Sequence, residues 1–160
     1  MAIDAIQTMQ AKDVVSAKLA SAYITVDGRR YLLFQAKSLE ATLEKEKTEV
    51  PILGRMQKGH KTTALNGSGS LVIYKNTSMF DDMMMKLKSQ GVDTYFDLQV
   101  TNADPTSEAG KQVTILKDCN IDSALIASFD ADGEWLEQSI DFTFEDIEVA
   151  TKFNQLDGME

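Results

Sequence analysis

Gly54 and Gly59, separated by four residues, stand just ahead of a Lys61-Thr62 pair in the stretch ILGRMQKGHKTTALNGSGSLVIY, residues 52–74. The spacing comes close to a phosphate-binding loop, in which backbone N–H groups cradle phosphate and a lysine reaches its outer oxygens. Three features exclude nucleotide binding. The lysine should follow the second glycine directly, and His60 intervenes. The loop should open a helix whose N-terminus faces the phosphate, and here a Gly-rich turn and a strand are expected to follow. The setting should be α/β, and this chain reads mostly β.

The other chemistry-bearing residues are sparse. His60 and Cys119 are the only histidine and the only cysteine. They would be a base and a nucleophile if they met, but nothing in their spacing joins them, and one of each is too few for a zinc site. Asp130, Asp132 and Gly133 loosely resemble a calcium loop, yet the glycine comes fourth where the loop needs it sixth. A hairpin turn explains them better. No catalytic residue, metal or cofactor is expected.

A chain of 160 residues, 43% hydrophobic and 26% charged, suits one globular domain with a real core. No apolar run approaches the roughly 18 residues of a membrane helix. The first residues, with Asp4 early and no basic stretch, do not read as a secretory signal. A lone cysteine precludes an internal disulfide and suits a reducing compartment. The net charge of −9 disfavours a dedicated nucleic-acid binder. Its distribution says more: residues 1–90 carry 13 basic against 9 acidic side chains, and residues 91–160 carry 3 against 16. A mildly basic half and a strongly acidic half suit head-to-tail contact between copies.

The patterns that position these residues are mostly of period two. AYITVDGRRYLLF reads as two short strands around Asp27-Gly28, a dipeptide suited to tight hairpins. KSLEATLEKEKTEV alternates Leu39, Ala41 and Leu43 on a buried face with Glu40, Thr42, Glu44 and Glu46 on an acidic, wet one. Residues 51–66 read as a long connection, and Asn66-Gly67 with Gly69 lead into the strand SLVIYKN. One helix is expected over TSMFDDMMMKLKSQG, capped by Ser78, with Asp81 and Asp82 in its first turn and Gly91 as its stop. Its apolar stripe is Phe80, Met83, Met84 and Leu87. YFDLQVTN buries Phe96, Leu98 and Val100, ADPTSEAG is a loop, and KQVTILKDCNI is a strand. DSALIASFDADGEWLEQSIDFTF is a long hairpin turning at Asp132-Gly133, with Leu136, Ile140, Phe142 and Phe144 inward and Asp141 and Thr143 outward. The tail from Asp146 shows no clear period. The architecture is a β-sandwich or barrel with one flanking helix.

The 51–66 connection carries Arg55, Lys58, His60 and Lys61 and no acid. A connection of that length is uncommon unless it has a function, and a basic finger on an acidic protein suits the acidic surface of a neighbouring copy. EVPILGRMQKGHKTTALNGSGSLVIYKNTSMF resembles the corresponding segment of tail tube proteins from contractile-tailed phages and defective prophages, the XkdM-like family of the PBSX type. FDADGEWLEQSIDFTFEDIEV is similar to that family's C-terminal hairpin. Gly59-His60-Lys61-Thr62-Thr63, with Asn66-Gly67 and Gly69, is the most specific part. The resemblance runs from about Ala22 to about Val149, which sets apart an N-terminal arm (1–21) and a C-terminal tail (150–160) from a tube domain (22–149).

The resemblance implies a sandwich protomer, hexameric rings with a continuous inner β-barrel, and rings stacked into a tube inside a contractile sheath. It implies an inter-ring role for Arg55, Lys58, Gly59, His60, Lys61, Thr62 and Thr63, and neighbour contacts by the N-terminal arm. The implied partners are the sheath, a tape-measure protein and a baseplate tube initiator. DNA would pass without specific binding, the subunit itself would not bind membrane, and assembly would occur in the host cytoplasm. In such a tube the acidic faces, Glu40, Thr42, Glu44 and Glu46 with Asp141 and Thr143, are expected to line the lumen. A phage-tail-like bacteriocin or a type VI-like injection machine would use the same subunit for other cargo. A small β-barrel ligand-binding module is the distant alternative.

Overall fold

A computed structural model describes residues 8–156 as mainly β, with eight strands, one α-helix and a 3-10 turn at Ala11–Asp13. The strand order is open rather than closed, so the sandwich expectation holds and the barrel one does not. The chain divides into two compact units, and one strand, β6 (Lys111–Ala124), runs through both.

The first unit takes residues 8–34, Phe96–Lys117 and 147–156. Strands β1 (Ala20–Val26) and β2 (Arg29–Leu32) form the expected hairpin. Asp27 and Gly28 both adopt positive φ, 51° and 77°, as a two-residue turn matched to strand twist requires. On its other side β1 pairs with β5 (Phe96–Ala103), which neighbours β6. Ile24, Leu33, Phe96, Leu98 and Leu116 are the core, while Val100 is half-buried. A further strand, β8 (Asp146–Thr151), pairs with β6, and Lys117 Nζ meets Glu148 Oε2 at 2.9 Å. The aperiodic tail therefore contains a strand. Its residues are almost all exposed, so no buried face imposes the alternation that would reveal it.

The chain ahead of β1 is tied down in this unit. Asp104 accepts hydrogen bonds from the Ser16 and Thr106 backbone N–H groups, both at 3.0 Å, and Ser107 Oγ donates to the Asp13 carbonyl at 3.0 Å. The N–H groups of Thr106 and Ser16 hold the Asp104 carboxyl below its ordinary range. A depressed carboxylate stabilises the fold fully above its unfolded value, about pH 4, and ceases to as pH falls through the lower folded value. Asp104→Asn is thus expected to flatten the acid limb of a stability–pH curve and to speed amide exchange at Ser16. An unchanged acid limb would disconnect this carboxylate from stability.

The second unit takes Gln35–Tyr95 and Asp118–Asp146. Its strand order is β6, β7 (Glu137–Phe144), β4 (Gly59–Tyr74) and β3 (Ala36–Val50), all antiparallel. The expected long connection over 51–66 is mostly strand. The chain leaves β3 at Val50 and re-enters β4 at Gly59, so β3 and β4 form one long hairpin arm with a tip of residues 51–58. Asn66-Gly67 and Gly69 are not a turn either; they lie inside β4. A Cβ on Gly69 would stand 2.6 Å from the Phe142 ring, and one on Gly67 would collide with the Phe144 ring. These glycines make room for aromatic rings lying across the strand.

The face of β3 expected to be buried is largely open: Leu39 is half-buried, and Ala41 and Leu43 are exposed. The hairpin expected at Asp132-Gly133 has shorter arms. Strand β6 ends at Ala124 and β7 begins at Glu137, leaving 125–136 as a connection. The turn sits where expected, with the Asp132 N–H donating to Asp130 Oδ1 at 3.0 Å and the Gly133 N–H to the Asp130 carbonyl at 3.1 Å.

Helix α1 (Met79–Gln90) ends at Gly91, whose φ of 68° is left-handed and whose N–H donates to the Leu87 carbonyl. Ser78 occupies the N-cap without a side-chain cap bond; its carbonyl accepts from the Asp82 N–H at 2.8 Å. The stripe is narrower than expected. Phe80 and Met83 are buried, Met84 is half-buried, and Leu87 with Met85 reaches solvent. A polar knot fixes the first turn of the helix. Asp81 takes Lys75 Nζ at 2.8 Å on one oxygen and Gln138 Nε2 at 2.6 Å on the other. Gln138 is fully buried among Leu71, Ile73, Ile140 and Phe142, the core of this unit.

Candidate functional site

Strand register gathers the acidic residues. Residues directly opposite each other in antiparallel strands share a face. Glu40 lies opposite Ser70, and Ser70 opposite Asp141; Thr42 lies opposite Ser68, and Ser68 opposite Thr143. Glu44 and Glu46 continue the same face along the arm, opposite Asn66 and Ala64. All six residues expected to act together therefore stand on one face of three adjacent strands. Glu40, Thr42, Ser68, Ser70, Asp122 and Asp141 line an open depression there. Ser123 Oγ donates to Asp141 at 3.1 Å, and Asn66 Nδ2 to Glu46 at 2.5 Å. Asp122 was not anticipated. It is the extra residue of a bulge between Ile121 and Ser123, and a bulge cannot be placed by counting alternation.

The arm carries the other group, and the structure divides it. Arg55 and Lys58 are in the tip, whereas Gly59, His60, Lys61, Thr62 and Thr63 are in β4, opposite Val50 to Lys47. Thr63 is the extra residue of a second bulge, and its hydroxyl donates to the Glu46 carbonyl at 3.2 Å. The bulge shifts the alternation, placing Lys61 opposite Thr48 on the acidic face and His60 opposite Glu49 on the other. Lys58 Nζ meets Glu49 at 3.1 Å, with both side chains largely exposed. A pair so wet contributes little, and it partly neutralises a finger that looked purely basic.

Sequence reasoning overlooked the apolar residues of this arm. Leu53 and Met56 in the tip are completely exposed, at 102% and 104%, and Val50, Ile52 and Leu65 also face solvent. Leu53 and Met56 have no cover within the subunit. At the arm's root Lys37 Nζ meets Glu137 at 2.7 Å, and Trp135 Nε1 donates to the same carboxylate at 2.6 Å. Lys37, then Trp135, holds that carboxyl below its ordinary range.

The chemical alternatives lose their geometry. Lys61 and Thr62 sit within a strand rather than before a helix. Cys119 is fully buried, while His60 is exposed, seven residues along β4 from the last position paired to β7 and so about 20 Å from it at strand rise. Among the described residues no three His, Cys, Asp or Glu side chains converge as a metal site requires. No described helix is long and apolar enough to cross a membrane.

The chain belongs to the phage tail tube protein family, whose profile matches residues 7–150. It is 42% identical over 146 residues to the phage-like element PBSX protein XkdM of Bacillus subtilis (strain 168), covering 91% of this chain and 97% of that one. The family match begins upstream of the Ala22 boundary read from the sequence. Two solved structures share the fold at low identity. The SPP1 tail tube matches with a TM-score of 0.63 at 10% identity, over 88% of this chain and 81% of the other. A subunit from the tail of an empty gene transfer agent particle, refined with helical C6 symmetry, matches with 0.60 at 12%, over 86% and 100%. The chain is a structural virion protein, a subunit of a phage tail tube.

Proposed function

We propose that copies of this subunit close into hexameric rings, that the rings stack into a tube, and that the acidic face of β3, β4 and β7 lines its lumen. One observation carries the reading. The 15-residue strand β3 is bonded on one side only, to β4, among the described residues, and exposes nearly its whole length. A long open edge is an aggregation liability in a monomer, and pairing around a ring removes it. The C6 symmetry of the gene transfer agent tail supports six copies.

In this reading Glu40, Glu44, Glu46, Asp122 and Asp141 repel phosphate, so DNA slides through without binding. The tube performs no catalysis. The exposed Met85 and Leu87 of α1 suit a covering sheath, a tape-measure protein sets the length during assembly in the host cytoplasm, and a baseplate protein starts the first ring. The test is a reconstruction of tubes grown from the purified protein. Carboxylates of β3 and β7 facing the bore are expected; the same carboxylates on the outer wall would overturn the lumen assignment. A second measurement separates a tube from an enzyme. His60→Ala is expected to fold normally, since an exposed surface substitution costs little stability, and still to form tubes, with weaker ring stacking as the only loss.

A further inference from the structure

We propose that β2 of one copy pairs edge to edge with β8 of the next, so that the sheet of the first unit runs on from copy to copy. The inference rests on the tube reading and adds a seam apart from the one at β3.

Both strands are edges of one sheet. Strand β8 follows β7 after a single residue, Glu145, and so continues along the side of β6 that lies away from β5. The order within this unit is therefore β2, β1, β5, β6, β8. Among the described residues β2 pairs only with β1, and β8 only with β6. All four residues of β2 are exposed, and so are five of the six in β8.

The two edges are complementary. Strand β2 carries Arg29 and Arg30 and no acid; β8 carries Asp146 and Glu148 and no base. Like charge keeps β2 from β2 and β8 from β8, while opposite sign favours the mixed pair. The faces agree as well. Arg30 lies opposite Thr25, and Tyr31 opposite the fully buried Ile24, so Arg30 projects from the wet face and Tyr31 from the core face. At the other edge Leu116 is buried, which puts its neighbour Lys117 on the wet face. The 2.9 Å Lys117–Glu148 pair places Glu148 there too, and Val149 on the core face. Pairing β2 with β8 thus sets Arg30 and Glu148 on one face and Tyr31 and Val149 on the other. Tyr31 and Val149 are 43% and 38% exposed in the subunit and lose that exposure. Arg30 is held ready: its guanidinium lies 4.0 Å over the Tyr23 ring, and it makes no ion pair among the described residues.

One copy cannot satisfy itself. Four strand spacings, about 19 Å, separate β2 from β8 within the sheet. Complementary edges on opposite sides of one sheet make a heterologous contact, which forms a ring when the rotation between copies closes. Strand addition of this kind draws affinity from main-chain hydrogen bonds and specificity from the side chains on each face.

Two experiments on the full-length protein test this. The first compares amide exchange in tubes with that in the subunit before assembly. Residues 29–32 and 148–151 are expected to exchange at least about tenfold more slowly in tubes, because both edges become paired. Charge exchange is the second. Arg30→Glu and Glu148→Arg are each expected to cut sedimentable polymer at least about tenfold with unchanged circular dichroism, since like charges across an interface repel strongly. Together they are expected to restore polymer to within about threefold. Arg30→Gln gives up the Tyr23 stacking without reversing charge, and is expected to stay within about threefold of wild type, which separates the seam from local folding. Tubes whose β2 and β8 amides exchange as fast as before assembly, or a double variant that stays unassembled, would overturn the seam and leave the tube reading standing. A wild-type protein forming neither rings nor tubes would overturn both.

Discussion

Gly69→Ala is expected to destabilise the protein more than Gly67→Ala, although both positions face phenylalanine rings. At Gly69 the new methyl would lie 2.6 Å from Phe142 Cζ and equally 2.6 Å from the Glu40 carbonyl oxygen. At Gly67 the three nearest atoms all belong to the ring of Phe144. A ring end can be trimmed or shifted, whereas a paired backbone carbonyl cannot move without disturbing β3. Overpacking of this kind costs about 1–3 kcal/mol; Gly69→Ala should sit at the top of that range and Gly67→Ala lower. Phe142→Ala, at a ring only 1% exposed, should cost about 3–5 kcal/mol through the cavity it leaves. Urea denaturation of two double-mutant cycles decides the matter. Phe144→Leu should recover most of the Gly67→Ala loss, and Phe142→Leu should recover little of the Gly69→Ala loss. Equal recovery in both cycles would remove the backbone from the explanation. Because these rings hold β7 to the arm's root, the same variants should lose tubes only as far as they lose folded subunit.

The second large effect is expected at the polar knot beneath α1. Lys75→Met leaves Asp81 with its hydrogen bond from Gln138 and no cation. Both charged side chains are mostly buried, at 16% and 18% exposure. Breaking such a pair from one side costs about 3 kcal/mol or somewhat more, whereas replacing both charges by apolar groups is close to neutral. Lys75→Met/Asp81→Leu is therefore expected to be more stable than Lys75→Met alone. Gln138→Leu should be milder, about 1–3 kcal/mol. It strands the Leu125 carbonyl but also deletes the Gln138 Oε1, which has no hydrogen-bond partner among the described residues. Denaturation read together with amide exchange over 125–136 separates the roles. The Lys75 variant should loosen that connection as well as the helix, since Lys75 also donates to the Ile126 carbonyl. A double variant no more stable than the single one would mean that the charge pair is incidental.

These two regions show why parts of the fold were legible and others were not. Local rules placed the β1–β2 turn, because positive φ at two successive residues is a demand that Asp27-Gly28 answers. They placed the end of α1 at Gly91 for the same reason. Alternation found the inward row Ile140, Phe142 and Phe144, because one-sided burial writes itself as period two; β3 alternates as well, but both of its faces are open in the subunit. The glycines of β4 were misread, since a glycine in a turn and a glycine beneath a ring look alike until the opposing strand is known. Gln138 was missed for a related reason: its place in the core depends on Asp81, fifty-seven positions away.

For the candidate site the division follows the same line. By itself the sequence determined the residue types and their local spacing: the acidic alternation of Glu40 to Glu46, the basic cluster from Arg55 to Lys61, and a single histidine and a single cysteine. Its motif carried the family as well. Only the tertiary structure decided that Glu40 and Asp141 share a face through Ser70. It also decided that a bulge at Thr63 turns Lys61 toward that face, and that Leu53, Met56 and Phe129 stand uncovered at opposite ends of one long strand. The physical reason is that register and bulges are set by pairing between distant segments, and exposure by what packs against them, neither of which a local pattern contains.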